Sequence, residues 1–235
     1  MRRHRRPQAI SLVRAASVRP WARLLPWLAL GLLAAAAAGL PAARAAAAGP
    51  EQLVRDITAQ VRQALARQAG RIAEDPAVVH RIVEAHVLPH VDFERMSRLV
   101  LGKHWRRATP DQRRRFVEGF RALLVRTYST ALADSADIEI DFLPSRPGPG
   151  PGEVEVRTEI RQPGGLGIPV SYRLHRATDG RWKAYDMSIE GVSLVGTYRS
   201  SFGAEIERAG LEALIRRLAE RAGAAHNPGP VAVRR

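Results

Sequence analysis

The chain has 235 residues with 37 Lys plus Arg against 23 Asp plus Glu, a formal net charge of +14. Residues 1–45 carry eight of the Arg and no acid, and Arg234 and Arg235 end the chain, so the stretch between is only mildly basic. That placement removes most of the support for nucleic-acid binding, and the absence of Cys excludes a disulfide framework, a thiol nucleophile, a zinc–thiolate site and a lipid-modified Cys.

The first 45 residues read as a bacterial export signal. An Arg-rich segment (Met1 to Arg23) precedes an apolar one from Leu24, and Ala43-Arg44-Ala45 supplies a small-residue cleavage site. The rival reading is an uncleaved anchor, since Leu24 to Ala43 is uncharged and long enough to span a bilayer. Weakly hydrophobic Ala and the flanking Pro26 and Pro41 favour cleavage, which predicts a periplasmic domain over 46–221 and a disordered tail over 222–235.

Apolar residues then recur at helical spacing. Leu53, Ile57, Val61 and Leu65 form one stripe, and Asp75-Pro76 opens a second helix with Val78, Val79, Ile82 and Val83 inward. Pro89 ends it. Asp92 is placed to cap a short helix carrying Phe93, Met96 and Leu99 to Leu101, and Thr109-Pro110-Asp111-Gln112 is a capping box. The long helix it starts carries a stripe of Phe116, Phe120, Leu123, Leu124, Tyr128 and Leu132.

The period next changes to two. Ile138, Ile140 and Phe142, then Val154, Val156, Thr158 and Ile160, then Ile168, Val170, Tyr172 and Leu174 alternate with polar residues, the mark of one-faced antiparallel strands. A Pro-Gly run (Pro147 to Gly152) joins the first two, and Thr178-Asp179-Gly180 turns into a fourth strand, Trp182 to Ile189. There Trp182 and Ala184 oppose Tyr185, Met187 and Ile189, so that strand is either buried on both faces or bulged near Ala184. Helical spacing returns at Leu194, Tyr198, Phe202 and Ile206, and after Gly210 at Leu211, Leu214, Ile215 and Leu218. The order predicts an α+β domain, with about four strands in a curved antiparallel sheet packed with amphipathic helices.

Candidate chemistry is sparse. His80, His86, His90 and Asp92 crowd one segment, but Pro89 breaks the helix between the last two His and no H-E-x-x-H pattern occurs, so no metal site is assigned. Gly191-Val192-Ser193-Leu194-Val195 lacks the second Gly of a nucleophile elbow, and Ser193 reads better as a helix cap. The basic run Arg113-Arg114-Arg115, with Arg106, Arg107 and Arg121, is a solvated helix face or a contact for anionic headgroups or an acidic partner. Against this stands an abundance of inward apolar and aromatic residues. Phe116, Phe120, Tyr128, Tyr172, Tyr185, Met187, Tyr198 and Phe202 are candidates to line an apolar cavity, or simply to fill a dry core.

Leu88-Pro89-His90-Val91-Asp92-Phe93, Leu99-Val100-Leu101-Gly102-Lys103-His104-Trp105-Arg106, the Thr109 capping box, Phe116-Val117-Glu118-Gly119-Phe120, Thr127-Tyr128, Trp182-Lys183-Ala184-Tyr185-Asp186 and Glu190-Gly191-Val192-Ser193-Leu194-Val195 with Tyr198-Arg199-Ser200 together resemble the MlaC, or toluene-tolerance auxiliary, family. The resemblance spans nearly all of 51–221. It implies an NTF2-like portion with a helical N-terminal part, and a monomeric periplasmic carrier with phospholipid as cargo, no cofactor, no catalytic residue and no nucleic-acid partner. Its implied partners are an inner-membrane MCE-domain/ABC transporter complex and an outer-membrane lipoprotein–porin complex. Under it, Val100, Leu101, Trp105, Phe116, Phe120, Leu124, Tyr128, Val156, Ile160, Val170, Tyr172, Tyr185, Met187, Ile189, Leu194, Tyr198 and Phe202 are the expected lipid contacts. Lys103, Arg106, Arg113 and Arg114 are the expected contacts for headgroup or partner. The Pro-Gly loop and the tail depart from the family pattern, which bears on geometry at the cavity mouth. A hopanoid or other polycyclic lipid is the alternative cargo. Isomerase or dehydratase chemistry at Asp186 and Tyr185, and a scaffold that bridges envelope proteins, are the rivals from other classes.

Overall fold

A computed structural model of the chain describes residues 49–75, 77–133, 138–161 and 166–223. The expected export signal lies outside them, as does the expected tail apart from Ala222 and Gly223, which belong to the last helix. Helix α1 (Pro50–Arg67) is followed by α2 (Ala69–Glu74), α3 (Ala77–His86), a 3₁₀ turn (Leu88–His90), α4 (Phe93–Leu101), α5 (Lys103–Arg107) and α6 (Pro110–Ala133). Strands β1 (Glu139–Pro147), β2 (Glu153–Arg161), β3 (Ile168–Arg176), β4 (Trp182–Ile189) and β5 (Val192–Ser193) come next, and α7 (Leu194–Ala209) and α8 (Leu211–Gly223) close the fold.

Capping chemistry sets the helix starts. Asp92 accepts from the Arg95 amide at 2.8 Å at the head of α4. At α6 the Gln112 amide donates to Thr109 Oγ1 at 3.2 Å while the Thr109 amide donates to Gln112 Oε1 at 3.1 Å, the reciprocal bonds of a capping box. Ser193 accepts from the Gly196 amide at 2.9 Å and so caps α7.

The sheet is antiparallel throughout, in the order β1-β2-β3-β4-β5. It exceeds the four predicted strands by β5, whose two residues are too short to show a period. β1 runs on through Pro144 to Pro147, which an edge strand tolerates, and its register shifts between Leu143 and Arg146. The fourth strand carries the bulge: Leu174 pairs with Ala184 and Arg173 with Asp186, leaving Tyr185 as the extra residue. Beyond the short β5, the free edge of β4 is covered by Val91, which bridges to Ala184.

Three apolar clusters hold the fold. The largest is entirely helical and joins α4, α6, α7 and α8 around Phe116, Phe120, Phe202, Leu214 and Leu218. A second packs α1 on α3 through Val61, Leu65, Val78, Val79 and Ile82. The third sets α1 on the sheet through Val54, Val156 and Leu174.

Candidate functional site

Register decides which side chains share the apolar face of the sheet. Rows run Val156–Tyr172–Met187 and Thr158–Val170–Ile189 across β2, β3 and β4, and Ile160–Ile168 across β2 and β3. β1 adds Ile140 beside Ile160 and Phe142 beside Thr158. A further row, Val154–Leu174–Ala184, lies under α1, where Val54 and Leu53 pack on it. Burial varies along the face: Val156 and Leu174 are closed off beneath α1 and Thr158 and Val170 in the following row are buried too, whereas Ile140, Ile160, Ile168, Met187 and Ile189 are half-buried. The face is therefore covered at one end and open at the other. The Pro-Gly loop, closed by a Gly148 amide to Glu153 carbonyl bond of 2.9 Å, joins β1 to β2 at the covered end and not at the open one.

Arg55 of α1 lies 3.9 Å from the centroid of the Phe142 ring and so borders the covered end with a cation; past it the strands contribute no charged side chain to this face among the described residues, and its polar groups are neutral hydroxyls. Burial pushes the Tyr172 hydroxyl above its ordinary range, partly offset by a hydrogen bond with Thr158. On the helical side, burial and the neighbouring Tyr198 hydroxyl push Tyr128 up to about 12. Tyr198 stacks edge-on against Phe120 and lies 5.2 Å from Phe202 between ring centroids.

The expected lipid contacts thus fall into three groups. Val156, Ile160, Val170, Tyr172, Met187 and Ile189 share the apolar sheet face. Val100, Leu101, Phe116, Phe120, Leu124 and Phe202 are packed inside the helical cluster with no more than 8% of their surface exposed, while Trp105, Tyr128, Tyr198 and Leu194 are half-buried. Tyr185 departs from its expected place. As the bulge residue it turns to the polar face, where its hydroxyl donates to Glu153 Oε2 at 2.7 Å and Arg95 lies over its ring. Burial and the Glu153 carboxylate push that hydroxyl up to about 12.

Asp186, the other residue considered for catalysis, is almost fully buried and its oxygens are occupied. It accepts from the Met187 amide (2.9 Å), the Val195 amide (3.1 Å) and Ser193 Oγ (2.7 Å), with Arg173 Nη1 at 3.4 Å. It fastens the end of β4 to the first turn of α7.

The basic candidates separate as well. Lys103 pairs with Glu207 at 2.7 Å and Arg114 with Asp111 at 2.5 Å. Arg113 lies against carbonyls, donating to Trp105 O at 3.0 Å from above the Trp105 ring, and it makes no ion pair among the described residues. Arg106 and Arg107 are exposed at the end of α5. Trp105, Arg113 and Arg114 line a groove of about 450 Å³ with Pro110, Val117, Glu94 and Glu118.

A polar cleft of about 530 Å³ lies beside it, lined by Asp92, Arg95, Arg98, Leu99, His175 and Thr178 among others. In it, His175 Nε2 is 2.8 Å from Asp92 Oδ2, and Arg95 pairs with Glu153. Of the crowded His, His86 meets Gln60 at 3.2 Å, and burial with Arg181 and Lys183 nearby holds His90 below its ordinary pKa. No group of three or more His, Asp or Glu is placed to hold a metal ion among the described residues.

Sequence reasoning missed Val54 and Leu53 as the cover of the sheet face, and the His175–Asp92 pair. The cover is an arrangement in space, and the pair joins residues 83 positions apart, so neither leaves a local signal. Period-two spacing did contain Ile140 and Ile168, the open-end members of the face.

These features define an α+β domain of NTF2-like type, with a one-sided apolar sheet face and a separate helical core. The model of the MlaC protein family matches residues 55–220, and the chain belongs to that family. A Haemophilus influenzae relative, the intermembrane phospholipid transport system binding protein MlaC, is 26% identical over 65% of this chain and 72% of its own. The toluene tolerance protein ttg2D of Pseudomonas putida is 27% identical over 77% of this chain and 83% of its own. Among solved structures, the phospholipid-binding protein of Ralstonia solanacearum, in complex with a phospholipid, superposes with a TM-score of 0.68 at 28% identity. It covers 77% of this chain and all of its own.

Proposed function

We propose that this protein is a phospholipid carrier of the space between two membranes, holding acyl chains against the apolar sheet face. The observation that carries the reading is the face itself, covered by α1 at one end, half-open at the other and without charge in its open part, in the fold of a phospholipid-complexed relative. Ile160, Val170, Tyr172, Met187 and Ile189 are its contacts from the sheet, with Tyr128, Leu194 and Tyr198 from the helices. Neutral hydroxyls suit an ester or glycerol oxygen at the end of an otherwise apolar ligand.

The physical need for such a carrier is a desorption barrier. At about 0.8 kcal/mol per buried CH₂, two chains of roughly 16 carbons cost on the order of 25 kcal/mol to expose to water. A protein face that replaces membrane hydrocarbon with side-chain hydrocarbon makes loading and release nearly balanced, and docking then sets direction. In this reading the signal over 1–45 is cleaved and the mature chain works as a periplasmic monomer. It exchanges lipid with an inner-membrane MCE-domain/ABC transporter complex and an outer-membrane lipoprotein–porin complex. Arg106 and Arg113, which lack carboxylate partners among the described residues, are the basic contacts retained for headgroup or partner.

Native mass spectrometry of the periplasmically expressed protein, with organic extraction of whatever is bound, tests this. A stoichiometric phospholipid is expected. A hopanoid would keep the carrier and change the cargo, and an empty protein that takes up no lipid from vesicles would end the reading.

A further inference from the structure

Two large apolar side chains stand out in solvent among the described residues, Leu166 at 93% exposure and Val192 at 61%. They come from different loops at the same end of the sheet. Leu166 lies two residues before β3, Val192 opens β5, and the Glu190 amide donates to the Pro169 carbonyl at 2.8 Å, tying the two segments side by side. This is the open end of the apolar face, and half-buried Ile160, Ile168 and Ile189 continue the apolar strip inward from it.

The turn that presents Val192 adopts an unfavourable backbone. Ile189 pairs with Val192 across Glu190 and Gly191, whose φ values are 51° and 81°, and Glu190 is the one non-glycine with positive φ among the described residues. Turns of this hand ordinarily take Asn or Gly at their first position. Glu at that position costs backbone energy and sets a carboxylate at the tip.

The surrounding charge has one dominant sign. Glu139, Asp141, Glu159 and Glu190 lie at this end; Arg161 bonds Asp141 at 3.2 Å and Glu159 at 2.8 Å, and Arg157 stands two residues inward of Glu159 on the same face of β2. Such a rim is repelled by an anionic bilayer surface, whereas an apolar centre inside a polar rim is the anatomy of a protein interface.

We propose that this end of the sheet is the docking surface for a protein partner that presents an apolar spot ringed by basic side chains. The patch is small, which fits a transient contact rather than an obligate one. It also brings the partner to the end of the apolar face through which a chain can leave. The choice of partners to try rests on the carrier reading.

Because the chain has no Cys, the single variants Leu166→Cys, Val192→Cys and, at an exposed position of α1 outside both proposed contacts, Gln63→Cys can each carry one environment-sensitive fluorophore. Each is mixed with phosphatidylethanolamine/phosphatidylglycerol vesicles, either bare or bearing the purified inner-membrane or outer-membrane complex. The expected result is a blue shift at 166 and 192 with at least one complex, none at 63 and none with bare vesicles. Raising salt from ~0.01 M to ~1 M, which shortens the screening length from about 30 Å to about 3 Å, should weaken the contact several-fold, and Glu139→Lys with Glu190→Lys should abolish it. A shift with bare vesicles would make the bilayer the occupant and overturn the proposal, as would no shift with either complex. Native mass spectrometry of the same variants keeps the two readings apart. Bound lipid without a shift fails the docking surface alone, and a shift without bound lipid fails the carrier reading alone.

Discussion

Asp186 is a buried carboxylate whose four donors come from β4, β3, Ser193 and the α7 backbone, so it acts as a joint and leaves no oxygen for substrate chemistry. Asp186→Asn turns an acceptor into a donor that faces other donors. Hydrogen bonds to a charged group contribute about 1.5–3 kcal/mol each way, and a loss of about 2–3 kcal/mol is expected. At about 2–4 °C per kcal/mol for a domain of this size, calorimetry should show the melting temperature falling by several degrees while bound lipid persists. The tyrosines give a second test at this scale. Burial raises Tyr172, and Tyr128 and Tyr185 are pushed up to about 12, whereas an unfolded Tyr titrates near ~10. A raised folded pKa means this contribution to stability is intact below ~pH 10 and is lost as pH climbs from there toward about 12. Ultraviolet titration should find Tyr128, Tyr172 and Tyr185 ionising late, together with unfolding, and ordinary early ionisation of these three would refute the burial assigned to them.

Helices and strands were legible in the sequence where period and capping agreed, as at Thr109-Pro110-Asp111-Gln112, where the side chains make the reciprocal bonds their spacing predicts. The short elements were not: α2, α5, the 3₁₀ turn and β5 left no readable period, and one side chain of β4 left its expected face. β5 is set by a turn with positive φ at Glu190, a residue type that does not announce such a turn. Tyr185 lies on the polar face because the strand takes the bulged one of the two alternatives left open near Ala184, which shifts phase by one residue; the Glu153 and Arg95 that meet its side chain lie far away in sequence. The candidate site was half legible for the same reason: alternation identified the apolar face, whereas its cover and its open end depend on where α1 lands. Gly119 shows packing overriding local preference. In isolation Gly→Ala stabilises a helix interior by about 1 kcal/mol, yet a Cβ at Gly119 would lie 2.9 Å from Leu218 Cβ, in the contact between α6 and α8. Overpacking of this kind costs about 1–3 kcal/mol. Gly119→Ala is therefore expected to lower the denaturation midpoint, whereas the helix-propensity effect alone would raise it.

The whole molecule separates the task of staying folded from that of holding cargo. Phe116, Phe120, Phe202 and Leu214 close the helical cluster with at most 3% exposure, while the sheet face keeps half-buried isoleucines at its open end. A carrier benefits from that division, since emptying the site need not dissolve the core. Removing lipid should then cost stability by linkage alone, about 2.7 kcal/mol when free ligand stands at roughly a hundred times Kd. That corresponds to about 5–10 °C in melting temperature for a domain of this size. The empty protein should still unfold in one cooperative step and should bind a hydrophobic dye such as ANS at the uncovered face, with Met187→Asp at the centre of that face suppressing lipid uptake. Loss of cooperativity on delipidation would mean instead that the acyl chains complete the core, and the two clusters would have to be regarded as one.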